Sequence, residues 1–329
     1  MSALLAHTRR TSIGFAIGLL LVTVSKGADA TSIPPDLARQ LVALGFSSMS
    51  LGRDEQDHLT IQTHINSRAR ILVIDTGWSV TTLDDRVAVE LKTADELGIK
   101  ARDWIFRRFE PAELKIVADF RVGSIECHEQ PVLTRALRRG GGVKQDGILG
   151  GDFLLGKFCL IDCAQRRFYA RETGLIRENQ TVLADFLRSQ YAEVLLEPVE
   201  LLVFGVRAEM NGEPVKLLID SGASASVLDQ GAVERVHLNH SEKRGRVIRG
   251  VGKIGASWLY QGKVNSLRLG EVTVTNLDFA VADLSRWGMS GKPNKARDVD
   301  GLLGVEFLSR NGSIIDYQSR KLWVRKSPR

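Results

Sequence analysis

Aromatic residues make up only 6% of this 329-residue chain, and none is interleaved with its densest basic stretch, Arg135 to Lys144. Positive charge without stacking platforms is not a single-strand nucleic-acid binder, and the three glycines there mark a solvated loop. A formal net charge of +6 is too mild for a nucleic-acid footprint. Histidines are few and scattered; His237 and His240 lie three apart without a carboxylate companion, and there is no His-Glu-x-x-His. No metal site is expected, and the histidines read as surface residues. A Gly-x-Ser-x-Gly nucleophile elbow is also missing.

There are three cysteines, Cys127, Cys159 and Cys163, and no histidine partner is signalled for any of them. Cys159 and Cys163 fall in what reads as one strand, ~13 Å apart on one face and too far to bridge each other. Either can pair with Cys127 in an oxidising compartment, or all three are buried thiols. Apolar residues at 43% and charged residues at 26% exclude disordered and collagen-like classes.

Long hydrophobic runs are missing after Ile13 to Val24. As a helix that run spans ~18 Å, against the ~30 Å of a bilayer core. Preceded by Arg9-Arg10 and followed by Ala28-Asp29-Ala30, it has the layout of a secretory signal. Residues 1–30 are therefore expected to be cleaved, with export to a periplasmic or extracellular location and no stable membrane insertion afterwards. Their loss removes three basic residues and one acidic, leaving a net charge of +4.

What the chain has is a duplication. Arg70-Ile71-Leu72-Val73-Ile74-Asp75-Thr76-Gly77 returns as Lys216-Leu217-Leu218-Ile219-Asp220-Ser221-Gly222, with the aspartates 145 residues apart. Val80-Thr81-Thr82-Leu83-Asp84 returns as Ala225-Ser226-Val227-Leu228-Asp229, and Asp146-Gly147-Ile148-Leu149-Gly150 as Asp300-Gly301-Leu302-Leu303-Gly304. A period this long is a whole small domain, not a solenoid repeat. Two homologous lobes are expected, 31–175 and 191–329, joined by a linker at 176–190.

Both lobes read as mostly β. Asn211-Gly212 signals a hairpin, and strands are expected at 118–122, 158–161, 167–170, 266–269, 278–281, 313–315 and 321–324. Short helices are expected at 35–44, at 84–91 and after each Leu-Gly. Apolar spacing at Val182, Leu183, Phe186 and Leu187 predicts one more over 179–191.

Each Asp-Thr/Ser-Gly follows an apolar strand that buries its backbone. Glycine permits the tight reversal, and the hydroxyl can bond across to its counterpart. In these residues the chain resembles the retropepsin-like and pepsin-like aspartic proteases, specifically a bacterial secreted form with two retropepsin-type lobes in one chain. The resemblance covers most of residues 59–329 and implies a bilobal acid-protease fold of two β-barrel lobes. It also implies a peptide or protein substrate, no cofactor, and a dyad of Asp75 and Asp220 that share one proton and activate a water. Thr76, Gly77, Ser221 and Gly222 would support that dyad. Asp84, Asp229, Asp146, Asp300, Asp162 and Asp316 would serve structural turns and caps, and Ser79 and Ser224 would be supporting residues. With both halves in one chain, intramolecular pairing and a monomer are expected.

The first lobe departs from the family pattern twice. Trp78 stands where a small residue is usual, and Ala223 keeps that residue in the second lobe; the indole reads either as space-filling core or as a substrate contact. A glycine-rich flap, Arg249 to Gly255 with Gly250, Val251 and Gly252, is legible only in the second lobe. The corresponding Trp104 to Phe109 has no glycine, which implies a stiffer wall or a single working flap. The flap also fits Gly-x-Gly-x-x-Gly, but Ala256 to Gly262 reads as strand and turn, so no nucleotide is expected. A peptide-binding protein that kept the fold without turnover is the alternative reading.

Overall fold

The computed structural model describes residues 36–89, 91–93, 113–137, 145–241, 247–248, 257–258, 260–287 and 298–326. The leader at 1–30, the first-lobe segment Trp104 to Phe109, most of the basic loop before Lys144, and Gly250, Val251 and Gly252 lie outside the described residues.

Two hairpins start the two lobes. Leu59–Ile65 pairs with Arg68–Ile74, and Val203–Met210 pairs with Glu213–Ile219. Both central residues of each turn have positive φ: Asn66 and Ser67 in the first, Asn211 and Gly212 in the second. This mirror-image turn follows the right-handed twist of the strands. Ser67 in that conformation is the reason the first turn carries no Asn-Gly signal in the sequence.

Each hairpin then closes into a six-stranded barrel by the same route. In the first, Arg68–Ile74 pairs parallel with Gly147–Leu149, and that strand pairs antiparallel with Thr82–Asp84. Thr82–Asp84 pairs parallel with Ile125–Arg135. Glu113–Val122 connects that strand back to Leu59–Ile65. In the second, Glu213–Ile219, Gly301–Leu303, Val227–Asp229, Val272–Ala282 and Tyr260–Leu269 repeat these pairings and return to Val203–Met210. Closure pairs the six ring strands on both sides, and the short strands Gly52–Arg53, Lys92–Thr93, Glu197–Glu200 and Asn239–Ser241 are added at the ends of the two sheets. The architecture is the bilobal acid-protease fold, mostly β, with two retropepsin-like barrel lobes.

A third sheet joins the lobes. Its order is Ser47–Ser50, Arg167–Ala170, Leu160–Asp162, Ile314–Asp316, Lys321–Arg325 and Tyr191–Leu195, and its middle pairing sets Ile161 opposite Ile315. Under it Leu37 and Leu41 of helix Asp36–Ala43, and Leu183 and Leu187 of helix Arg177–Arg188, pack on Trp323 and Tyr191. The helix read at 179–191 thus begins two residues earlier and ends at Arg188. Among the described residues no helix is long and apolar enough to cross a membrane.

Four local readings are corrected. The helix expected at 84–91 is the single turn Asp85–Ala88, because Asp84 is its cap and accepts from the Arg86 N–H. The strand expected from Phe158 starts at Leu160, since Phe158 has positive φ. Cys159 and Cys163 flank that strand, and all three cysteines are buried free thiols. His58 is not a surface residue: it is 3% exposed, with Nδ1 2.9 Å from Asp54 Oδ2.

The joining sheet carries a buried acid at its centre. Asp162 Oδ1 accepts from the Gln165 N–H at 2.9 Å, whereas Oδ2 is buried without a hydrogen-bond partner. Burial pushes this carboxyl up to about 7, against the smaller opposing pull of backbone N–H groups and two arginines. An unfolded aspartate titrates near 4. Between roughly pH 4 and 7 the unfolded chain has lost a proton that the folded chain keeps, so stability falls as pH rises through that window. Asp162→Asn retains the acceptor for Gln165. It is expected to melt several degrees above the parent at pH 8 and level with it at pH 4; an equal difference at both pH values would refute this.

Candidate active site

Leu72, Val73 and Ile74 are fully buried, as are Leu217, Leu218 and Ile219. These runs deliver Asp75 and Asp220 to equivalent points at the ends of their strands. The Asp75 N–H donates to the Leu149 carbonyl at 3.1 Å, and the Asp220 N–H to Leu303 at 3.0 Å. That bond ends the parallel pairing, and the chain turns back at once. Trp78 N–H donates to the Asp75 carbonyl, and Ala223 N–H to that of Asp220. Inside each turn the glycine N–H holds the carboxyl: Gly77 to Asp75 Oδ1 at 2.9 Å, Gly222 to Asp220 Oδ1 at 3.0 Å.

The two turns are locked across the lobes. Thr76 Oγ1 donates to the Ile219 carbonyl at 2.7 Å and accepts from the Ser221 N–H at 3.0 Å. Ser221 Oγ donates to the Ile74 carbonyl at 2.8 Å and accepts from the Thr76 N–H at 3.1 Å. All four bonds are buried. Glycine is required at the contact itself: a Cβ on Gly77 would lie 2.7 to 2.9 Å from the Asp220 carboxyl, and one on Gly222 would press still closer on that of Asp75. Each carboxyl therefore leans on the other lobe's turn, and both aspartates remain 8% exposed. Asp75, Asp220, Thr76, Ser221, Gly77 and Gly222 form one constellation.

Behind each turn stands a carboxyl that accepts from a hydroxyl residue of its own lobe. Asp152 Oδ1 accepts from the N–H and the hydroxyl of Thr81, and Thr81 Oγ1 accepts from the Gly150 N–H. Glu306 and Ser226 repeat this at Gly304. Burial pushes both carboxyls up, against the bonds they accept. Each acid lies two residues after its Leu-Gly, and that spacing is the signal by which the sequence could have disclosed them. Tyr317 is buried near the turns; burial pushes its phenol well up, with smaller contributions from Cys159 and both aspartates.

The remaining repeated acids anchor backbone. Asp146 accepts from Ile71 N–H and Asp300 from Lys216 N–H. Asp84 and Asp229 accept from Leu137 and Leu284 N–H, and Asp316 from Ser319. Ser79 is buried, whereas Ser224 is exposed.

Trp78 lies half-buried beside the Asp75 turn. Its Nε1 donates to Thr82 Oγ1 at 2.8 Å, and the Arg135 guanidinium sits over the ring, 5.6 Å from its centre. Val247–Ile248 and Ser257–Trp258 pair antiparallel on either side of the expected flap residues. Among the described residues no group of three or more His, Cys, Asp or Glu side chains is placed to hold a metal ion.

Residues 206–307 match the family model described as aspartyl protease. The matched segment carries Asp220-Ser221-Gly222 and Leu302-Leu303-Gly304. Two curated relatives are similar to the chain, each named Protein DDI1 homolog 2, from Xenopus laevis and Xenopus tropicalis. Each is 25% identical over 151 residues, covering 45% of this chain and 33% of the relative. The chain thus spans about a third of the length of the relatives it matches. The likeness is to a protease at the level of the family, and to one segment of these relatives.

Proposed function

We propose that this chain is an aspartic-type endopeptidase in which Asp75 and Asp220 activate a water for attack on a peptide carbonyl. The observation that supports this most is the packing of each carboxyl against the other lobe's glycine, with four cross-lobe hydrogen bonds holding the turns. Two enclosed carboxylates do not both ionise readily, so the pair holds one proton. The ionised member takes a proton from water as its oxygen bonds to the carbonyl carbon, and the protonated member donates to the carbonyl oxygen. When the tetrahedral species collapses, a proton passes to the amide nitrogen, the C–N bond breaks, and the pair returns to its starting charge. Thr76 and Ser221 position the pair, and Gly250, Val251 and Gly252 cover the substrate. The reaction requires no cofactor, and one chain supplies both halves of the site.

The alternative, a peptide-binding protein without turnover, draws on Trp78, whose indole is pinned beside the Asp75 turn. The deciding experiment incubates the purified protein with a diverse peptide library across acidic to neutral pH and identifies products by mass spectrometry. Cleavage that disappears in Asp75→Asn and in Asp220→Asn supports the peptidase; binding without products at any pH supports the alternative.

We also propose export, on the layout of Arg9-Arg10, Ile13 to Val24 and Ala28-Asp29-Ala30. Full-length expression is expected to yield an exported protein beginning at Thr31; a cell-retained protein with an intact leader would count against it.

A further inference from the structure

The lobes repeat one another in backbone but not in the chemistry outside their barrels. In the second lobe Val199, Val203, Val227, Ala282 and Val299 belong to one aliphatic cluster, with Ala223 packed on it. The 145-residue offset puts Asp54, His58, Trp78 and Thr82 at the matching places for Val199, Val203, Ala223 and Val227. Arg135 faces Asp84 in the parallel register in which Ala282 faces Asp229. Gln145 and Val299 each precede the aspartate that anchors the hairpin. Six apolar positions on one side are thus six polar or amphipathic ones on the other.

Part of the polar set is closed on itself. Asp54 accepts from the N–H groups of Gln56 and His58 and from the Gln145 side chain, and it bonds to the His58 ring. Trp78 and Arg135 are both half-buried rather than closed off. Leu83 points into the barrel core, so Thr82, its neighbour on the strand, lies on the outer face. Trp78 is tied to that Thr82 and follows the Asp75 turn directly. Stacking on the indole presents the Arg135 guanidinium flat and oriented, the arrangement in which arginine binds carboxylates through paired N–H groups. Asp85 lies beside the cap of the next helix; burial pushes its carboxyl up, against a smaller opposing pull from Arg135.

Resting on the peptidase reading, we propose that substrates are asymmetric: an acidic side chain is bound by Arg135 over Trp78 on the first-lobe side, and a small aliphatic one meets Ala223, the partly buried residue packed on the aliphatic cluster of the second lobe. Trp78 limits the room on the first side, and Arg135 selects the charge. A symmetric cleft would select the same type of residue on both sides of the scissile bond.

The test is the cleavage profile of the full-length protein's mature form on the same peptide library, followed by matched peptides differing only in Glu against Gln at the selected position. The expected profile shows Asp or Glu enriched on one side only, and Arg135→Gln lowers the ratio of kcat/KM for Glu over Gln peptides by about 10- to 100-fold. Arg135→Lys is expected to restore part of that ratio, since it returns the charge without the planar fork. Cleavage that depends on Asp75 but shows no acidic enrichment, or a ratio that Arg135→Gln leaves in place, overturns this inference and leaves the peptidase reading standing. No cleavage by the parent protein overturns both.

Discussion

Asp75→Asn and Asp220→Asn are each expected to lower peptide cleavage by roughly a thousandfold or more, because each removes one of two groups that act as a unit. An asparagine fills the same space and keeps the acceptor for the N–H of Gly77 or Gly222. The cross-lobe bonds of Thr76 and Ser221 do not involve the carboxyls. The variants should therefore fold, with melting temperatures close to the parent's, since a pair that holds one proton and an acid beside an amide carry the same charge. Loss of activity with retained melting separates chemistry from folding. If either variant cleaves at the parent's rate, the assignment of the pair is wrong.

Thr76→Val is expected to be the most damaging substitution for stability at this site. Valine keeps the shape but can neither donate to the Ile219 carbonyl nor accept from the Ser221 N–H, and both partners are buried. Leaving two buried groups unsatisfied costs on the order of 2–5 kcal/mol in total. Activity should fall with stability, because the same bonds hold each carboxyl against the other lobe's glycine. Ser221→Ala removes the mirror pair of bonds to Ile74 and Thr76. The double variant should lose less than the sum of the singles, since all four bonds span one contact. Denaturant titrations of the four proteins measure this; full additivity, or a Thr76→Val midpoint at the parent's value, would contradict the grip.

Much of the architecture was legible because it is local and written twice. An apolar strand, a carboxylate, a hydroxyl and a glycine in consecutive positions specify a buried strand and the tight turn that ends it, and their return 145 residues later specifies two lobes. Asn211-Gly212 announced its turn through backbone sterics alone, whereas Asn66-Ser67 makes the same turn without the glycine and was silent. In the sequence Asp152 and Glu306 stand only as the starts of short helices, although each binds a hydroxyl residue about 70 to 80 positions earlier. His58 reads as a surface residue for the same reason: Asp54 is close to it in sequence, but Gln145, which completes the network, lies 91 residues from Asp54.

The sequence by itself determined the strand-turn units, the pairing of the two motifs, and the residue types that meet at the lobe contact, because strand burial, turn geometry and hydrogen-bonding capacity are properties of a few adjacent residues. Only the tertiary structure decided which side chains stand behind those turns. It also decided how strands from both halves merge into one sheet, and that the two outer walls differ in polarity. Closing a barrel joins residues separated by tens of positions, such as Trp78 and Arg135, and no local pattern records which of them will touch.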